Sequence, residues 1–186
     1  MVFLLVIVGI AALIFALTYN SLIAKKNEVE NSFGTMDALL KKRYDLIPNI
    51  VAVLQQYMNY EKDTLTKITE LRAKAVTGNI SSDEKTTLSN QVTPLLRNIL
   101  ATSENYPELK ANSDFMELQN TLKDLENQIT SSRTSYNNTV MGYNNAIEMF
   151  PSNFVAGLMG LLRKPMFEIP SEERKNVNVR ELFNQK

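Results

Sequence analysis

The chain has 186 residues, which suits one domain plus an anchor, and its 20 basic and 20 acidic side chains cancel; that balance removes any global argument for nucleic acid or acidic substrates as partners. It has no cysteine, which excludes disulfides and thiol chemistry, and no histidine, which excludes the commonest general base and the usual transition-metal ligand. Carboxylate, lysine and serine chemistry stay open.

Residues 1–24 carry no charged side chain, and Met1 to Leu17 is apolar almost throughout. As a helix, this stretch spans about 35 Å, enough for a bilayer core of about 30 Å. A cleaved signal peptide is the alternative, but the basic leader and the A-x-A-like site it needs are missing. The reading is therefore a transmembrane anchor over 1–24, a bundle of long helices over 25–150 and a C-terminal segment and tail over 151–186. Lys25 and Lys26 follow the apolar run and no cation precedes it, so the positive-inside tendency puts the domain on the cytoplasmic face.

Beyond the anchor, Leu22, Val29, Phe33, Met36 and Leu40 repeat at helical spacing. The membrane helix is expected to continue as the first bundle helix to about Arg43. Gly34 inside it should be compensated by close packing of a neighbour. The segment KKRYDLIPNIV, Lys41 to Val51, reads as a corner: Asp45 caps a new helix and Pro48 occupies its first turn. That second helix runs to about Val76, with Leu46, Ile50, Val53, Leu54, Tyr57, Leu65, Ile68, Leu71 and Ala75 as its apolar stripe. Gly78 marks its end.

Ser81 and Glu84 fit a capping box for a third helix. Its stripe is Leu88, Val92, Leu95, Leu96, Ile99 and Leu100. Pro94 either kinks this helix or begins a fresh one capped by Thr93. The fourth helix gives the clearest periodicity: Phe115, Leu118, Leu122, Leu125, Ile129, Ser132, Tyr136, Val140, Tyr143 and Ile147 alternate at spacings of 3 and 4. Only a partner of similar length can bury such a stripe, and the first helix is the natural one.

No glycine-rich phosphate loop, metal-ligand cluster or nucleophile–base pair stands out, so no catalytic, metal or cofactor residues are assigned. The adjacent pairs Asp83-Glu84 and Glu172-Glu173 point apart on a helix and read as solvated. The polar residues worth weighing are Arg43, Asp45, Asn49, Glu104, Arg133, Tyr136 and Tyr143, with Asn137 and Asn144. Arg133 flanks the fourth-helix stripe and needs a carboxylate, which Asp45 or Glu104 could supply. Such a group is either a ligand pocket or a hydrogen-bonded layer that fixes helix register.

After Pro151 the texture changes. Phe150, Phe154, Leu158, Leu161 and Leu162 fall on one helical face. Three surfaces could receive it: the chain's own bundle, a second copy, or the bilayer surface. An intermolecular or membrane role is expected over internal packing. The tail is polar and irregular, with Val177, Val179, Leu182 and Phe183 as its anchors.

The segments YNSLIAKKNEVENSF, KKRYDLIPNIV, ENYPELKANSDFMELQNTL, SRTSYNNTVMGYNNAIEMFPSN and MFEIPSEER touch most of the chain from Tyr19 to Arg174. Through them the chain resembles the bacterial LemA family of small membrane proteins. The resemblance implies an N-terminal membrane helix and a domain of long antiparallel helices. It brings no established enzymatic activity and no catalytic residues, and it looks related to proteins of bacterial membrane organisation, including a magnetosome-associated branch. The combined expectation is an all-α, single-pass protein of the bacterial inner membrane, with about four long helices and no cofactor. It would act either as a self-associating scaffold, a homo-oligomer docking other membrane proteins, or as a binding module for a peptide or lipid on the Tyr and Asn face of the fourth helix.

Overall fold

A computed structural model describes residues 1–57, 62–77 and 80–167. The described residues are helical with no strand: α1 (Val2–Tyr57), α2 (Lys62–Val76), α3 (Ser82–Ser103), α4 (Pro107–Lys110), α5 (Ser113–Glu148) and α6 (Ser152–Leu158). Gly78 and the tail anchors Val177, Val179, Leu182 and Phe183 lie outside the described residues, as do Glu172 and Glu173.

The expected corner at Lys41 to Val51 does not exist. α1 runs through it as one helix of 56 residues, about 84 Å long, with Pro48 inside. A proline in a helix interior removes the N–H that would serve the carbonyl four residues back. Here that carbonyl belongs to Tyr44, and Arg72 of α2 donates its Nε–H to it at 3.0 Å. A side chain from the neighbouring helix thus replaces the missing backbone donor. Asp45, expected as the cap, is exposed in mid-helix. The apolar stripe assigned to one second helix is accordingly shared between the end of α1 and α2. Gly34 also departs from expectation. It is exposed, and an added Cβ would meet nothing within 4 Å, so no neighbour packs closely there.

α1 and α5 form the principal antiparallel pair. Their register is constant. The Asn112 amide donates to Tyr57 Oη at 3.2 Å, Arg43 pairs with Glu126 at 3.0 Å, and the Phe33 and Tyr136 rings meet edge to face at 5.9 Å. The α5 stripe is buried at Phe115, Leu122, Leu125, Ile129, Tyr136, Val140, Tyr143 and Ile147, against Leu22, Val29, Met36, Leu40, Ile47, Ile50 and Leu54 of α1. α2 returns antiparallel to the end of α1. α3 then runs beside α1 again, tied by Lys85 Nζ to Asp37 Oδ2 at 2.7 Å. Its N-terminus carries the anticipated capping box: Ser81 Oγ accepts from the Glu84 N–H at 3.2 Å, and Ser81 N–H donates to Glu84 Oε2 at 2.8 Å. α3 passes Pro94 without interruption, and Thr93 gives its hydroxyl to the Ser89 carbonyl rather than capping a new helix.

The two ends of the molecule therefore differ in section. From about Met36 to Tyr57 of α1, four helices surround the core. From Thr18 to about Thr35, among the described residues only α1 and α5 remain, and α6 with the extended residues 161–167 completes the packing. Residues 1–17 of α1 are exposed on all sides. Among the described residues α1 is the one helix long and apolar enough to cross a membrane, and its apolar window is 0% buried.

Candidate functional site

Two polar constellations organise the bundle. The first is centred on Arg43, whose side chain is fully buried. α1 aims it at α3 and α5. Its Nη1 donates to Thr93 Oγ1 and Glu126 Oε2, both at 3.0 Å, and its Nη2 donates to Ser89 Oγ at 2.6 Å and the Ser89 carbonyl at 3.2 Å. Arg133 of α5 reaches the same hydroxyl, donating from Nη2 to Ser89 Oγ at 2.7 Å. One serine thus joins two guanidinium groups from different helices, and Glu126, about a third exposed, supplies counter-charge to Arg43. Burying an arginine is tolerable only with this degree of hydrogen bonding.

The adjacent Tyr44 hydroxyl is enclosed next to the Arg43 guanidinium. Burial pushes its phenol above the ordinary value of 10.0, and the Arg43 guanidinium beside it pulls in the opposite direction without prevailing.

Of the residues nominated from sequence, Arg43 and Arg133 come together here. Asp45 and Asn49 are exposed on α1. Glu104 caps the C-terminal end of α3 and pairs with Lys110, so neither proposed carboxylate reaches Arg133. The members sequence reasoning passed over are Ser89, Thr93 and Glu126. Ser89 and Thr93 are one turn apart on the α3 face that also buries Val92 and Leu96. Two small hydroxyls in a buried stripe were the available signal.

The second constellation lies on α5, where Tyr-Asn recurs after seven residues. Asn144 grips the backbone of Lys164 from both sides: its Nδ2–H donates to the Lys164 carbonyl and its Oδ1 accepts the Lys164 N–H, each at 2.9 Å. Two turns away, Asn137 does the same to Phe167, at 3.0 and 2.8 Å. Tyr143 Oη donates to the Leu162 carbonyl at 3.1 Å. Each asparagine amide acts as a stand-in for the next strand of a sheet, so residues 161–167 are held as a strap running antiparallel to α5.

Side chains secure the strap further. The Phe167 ring packs edge to face on Tyr136 at 5.3 Å and lies 5.7 Å from the Arg133 guanidinium carbon. Lys164 Nζ stands 5.9 Å from the Tyr143 ring centroid and 3.7 Å from Glu30 of α1. Burial raises the Tyr143 phenol above its usual range, and the nearby Glu30 charge acts in the same sense.

The apolar segment after Pro151 presents a different face. Val155 and Ala156 of α6 are buried, and Leu161 is half-buried. Phe150, Phe154, Leu158 and Leu162 are 88%, 71%, 67% and 79% exposed. Among the described residues no group of three or more acidic side chains is placed to hold a metal.

The sequence profile of the LemA family matches residues 32–180. Over 182 residues the chain is 26% identical to Protein LemA of Metamycoplasma hominis, a similarity that covers 98% of this chain and 83% of that relative.

Proposed function

Because the chain belongs to the LemA family, we propose that it is a non-enzymatic, membrane-anchored helical scaffold that self-associates or organises other proteins at the bacterial cell membrane. The observation that carries this reading is the continuity of α1. One helix supplies the exposed apolar residues 1–17 and then the longest wall of the bundle, without a joint between them. An anchor built this way fixes the bundle's direction relative to the bilayer, which a scaffold needs and a freely swivelling catalytic domain does not. The polar groups gathered at Arg43 are hydrogen-bonded to one another across three helices, as in a layer that fixes helix register.

A second reading draws on the strap. Asn137 and Asn144 hold peptide backbone irrespective of its side chains, which is how a module for extended peptides would work. Light scattering after size exclusion of the full chain in detergent separates the two. A defined multiple of the 21.1 kDa protomer supports the scaffold. A monomer at every concentration favours the peptide module instead.

A further inference from the structure

The exposed residues Phe150, Phe154, Leu158 and Leu162 form an apolar edge that the bundle does not cover, and its height on the molecule identifies its partner. The α1–α5 register pairs Tyr57 with Asn112, Arg43 with Glu126 and Phe33 with Tyr136. Continued to the end of α5, it sets Glu148 level with Ser21. Ser21 lies about 29 Å along the helix from Val2, which matches a hydrocarbon core of about 30 Å. The end of α5, the turn at Phe150-Pro151 and α6 thus come at the level where α1 leaves its apolar stretch. Burial agrees: residues 1–17 are exposed, and the core begins with Leu22.

The chemistry at this level is that of a bilayer surface. Tyr19, 42% exposed, stacks on Phe15 with centroids 6.5 Å apart, an aromatic pair of the kind that sits at headgroups. Lys25 and Lys26 follow within two turns. Val155 and Ala156 dock α6 on the bundle and leave its phenylalanine and leucine side chains directed away from it. A short amphipathic element so placed inserts its apolar side at the boundary of headgroup and acyl chain.

We infer that α6 is a second membrane contact: Phe150, Phe154, Leu158 and Leu162 embed in the lipid surface next to the point where α1 emerges. The inference rests on the reading of α1 as a membrane anchor.

The chain contains no tryptophan, so single-tryptophan variants report their surroundings without background. Full-length Phe154→Trp, Leu13→Trp and Met116→Trp are each reconstituted in two sets of phosphatidylcholine vesicles, with acyl chains brominated near the headgroup, to report on Phe154→Trp and Met116→Trp, or near the bilayer centre, to report on Leu13→Trp. Met116 is half exposed at the far end of the bundle. The expected result is emission from Phe154→Trp that is blue-shifted and quenched several-fold more strongly than from Met116→Trp. Equal quenching of these two overturns the inference. So does a blue shift that lipid bromination leaves unquenched and lipid dilution abolishes, which would assign the face to a second copy. Leu13→Trp reports separately on the anchor: its failure to quench refutes the spanning reading, while its quenching beside an unquenched Phe154→Trp refutes only the α6 contact.

Discussion

Pro48 leaves the Tyr44 carbonyl without its helical donor, and Arg72 supplies another at 3.0 Å. A hydrogen bond from a charged group contributes about 1.5–3 kcal/mol, so Arg72→Ala should lower stability by that order. Pro48→Ala restores the backbone N–H. In that background the loss from Arg72→Ala should shrink, because the carbonyl is already served. A double-mutant cycle on thermal midpoints in detergent measures the coupling, and strictly additive effects would refute the substitution of one donor for the other. Tyr44 gives a pH test at the same place. Its folded pKa is raised above 10.0, so the stability of the buried neutral phenol is fully present below pH about 10 and is lost as pH rises through the folded value. Melting curves of Tyr44→Phe should therefore fall less steeply above pH 10 than wild type. Superimposable slopes would mean the phenol does not titrate as its burial requires.

At the scale of elements, the strap depends on two amides. The double variant Asn137→Ala, Asn144→Ala removes four neutral hydrogen bonds, each contributing about 0.5–1.5 kcal/mol. Hydrogen exchange at the Lys164 and Phe167 amides should accelerate by orders of magnitude while the centre of α5 stays protected. Unchanged exchange would show that side-chain packing alone holds the strap. Gly34→Ala tests the exposed flank of α1. Nothing stands within 4 Å of the added methyl, so helix propensity should raise stability by about 1 kcal/mol; a loss in the thermal midpoint would reveal a partner seated there. The long stripes were legible in the sequence because burial follows helical period: Leu22, Val29, Met36 and Leu40 on α1 and most of the α5 series are in the core. The corner was misread because a proline after an Asp is the local grammar of a helix start, and the compensating Arg72 lies 24 residues further on. Ser89, Thr93 and Glu126 escaped for the same reason. Which carboxylate meets Arg43 is decided by the register of α5 on α1, a long-range fact. Asn137 and Asn144 were visible as a repeat, but what they hold lies 30 and 20 residues away.

Across the whole molecule, an end of four helices and an end of two are joined by the α1–α5 pair, with the strap and α6 packed where α2 and α3 are absent. The two-helix end carries the apolar extension, so with α1 as the proposed anchor the four-helix end stands farthest from the bilayer. Lys25 and Lys26 follow that extension at once, and on that ground we propose that the bundle lies on the cytoplasmic side. Protease added to intact spheroplasts should then leave the bundle uncut and degrade it only after lysis; digestion from outside would reverse the orientation. The unbroken course of α1 also has a mechanical meaning. From Ser21 to Tyr57 it is a rod of about 54 Å, and membrane helices tilt to match the thickness of their bilayer. By trigonometry on that length, each degree of tilt swings Tyr57 sideways by about 1 Å. The anchor is thus the short arm of a lever, and the long arm turns small differences in lipid thickness into displacement at the far end of the bundle.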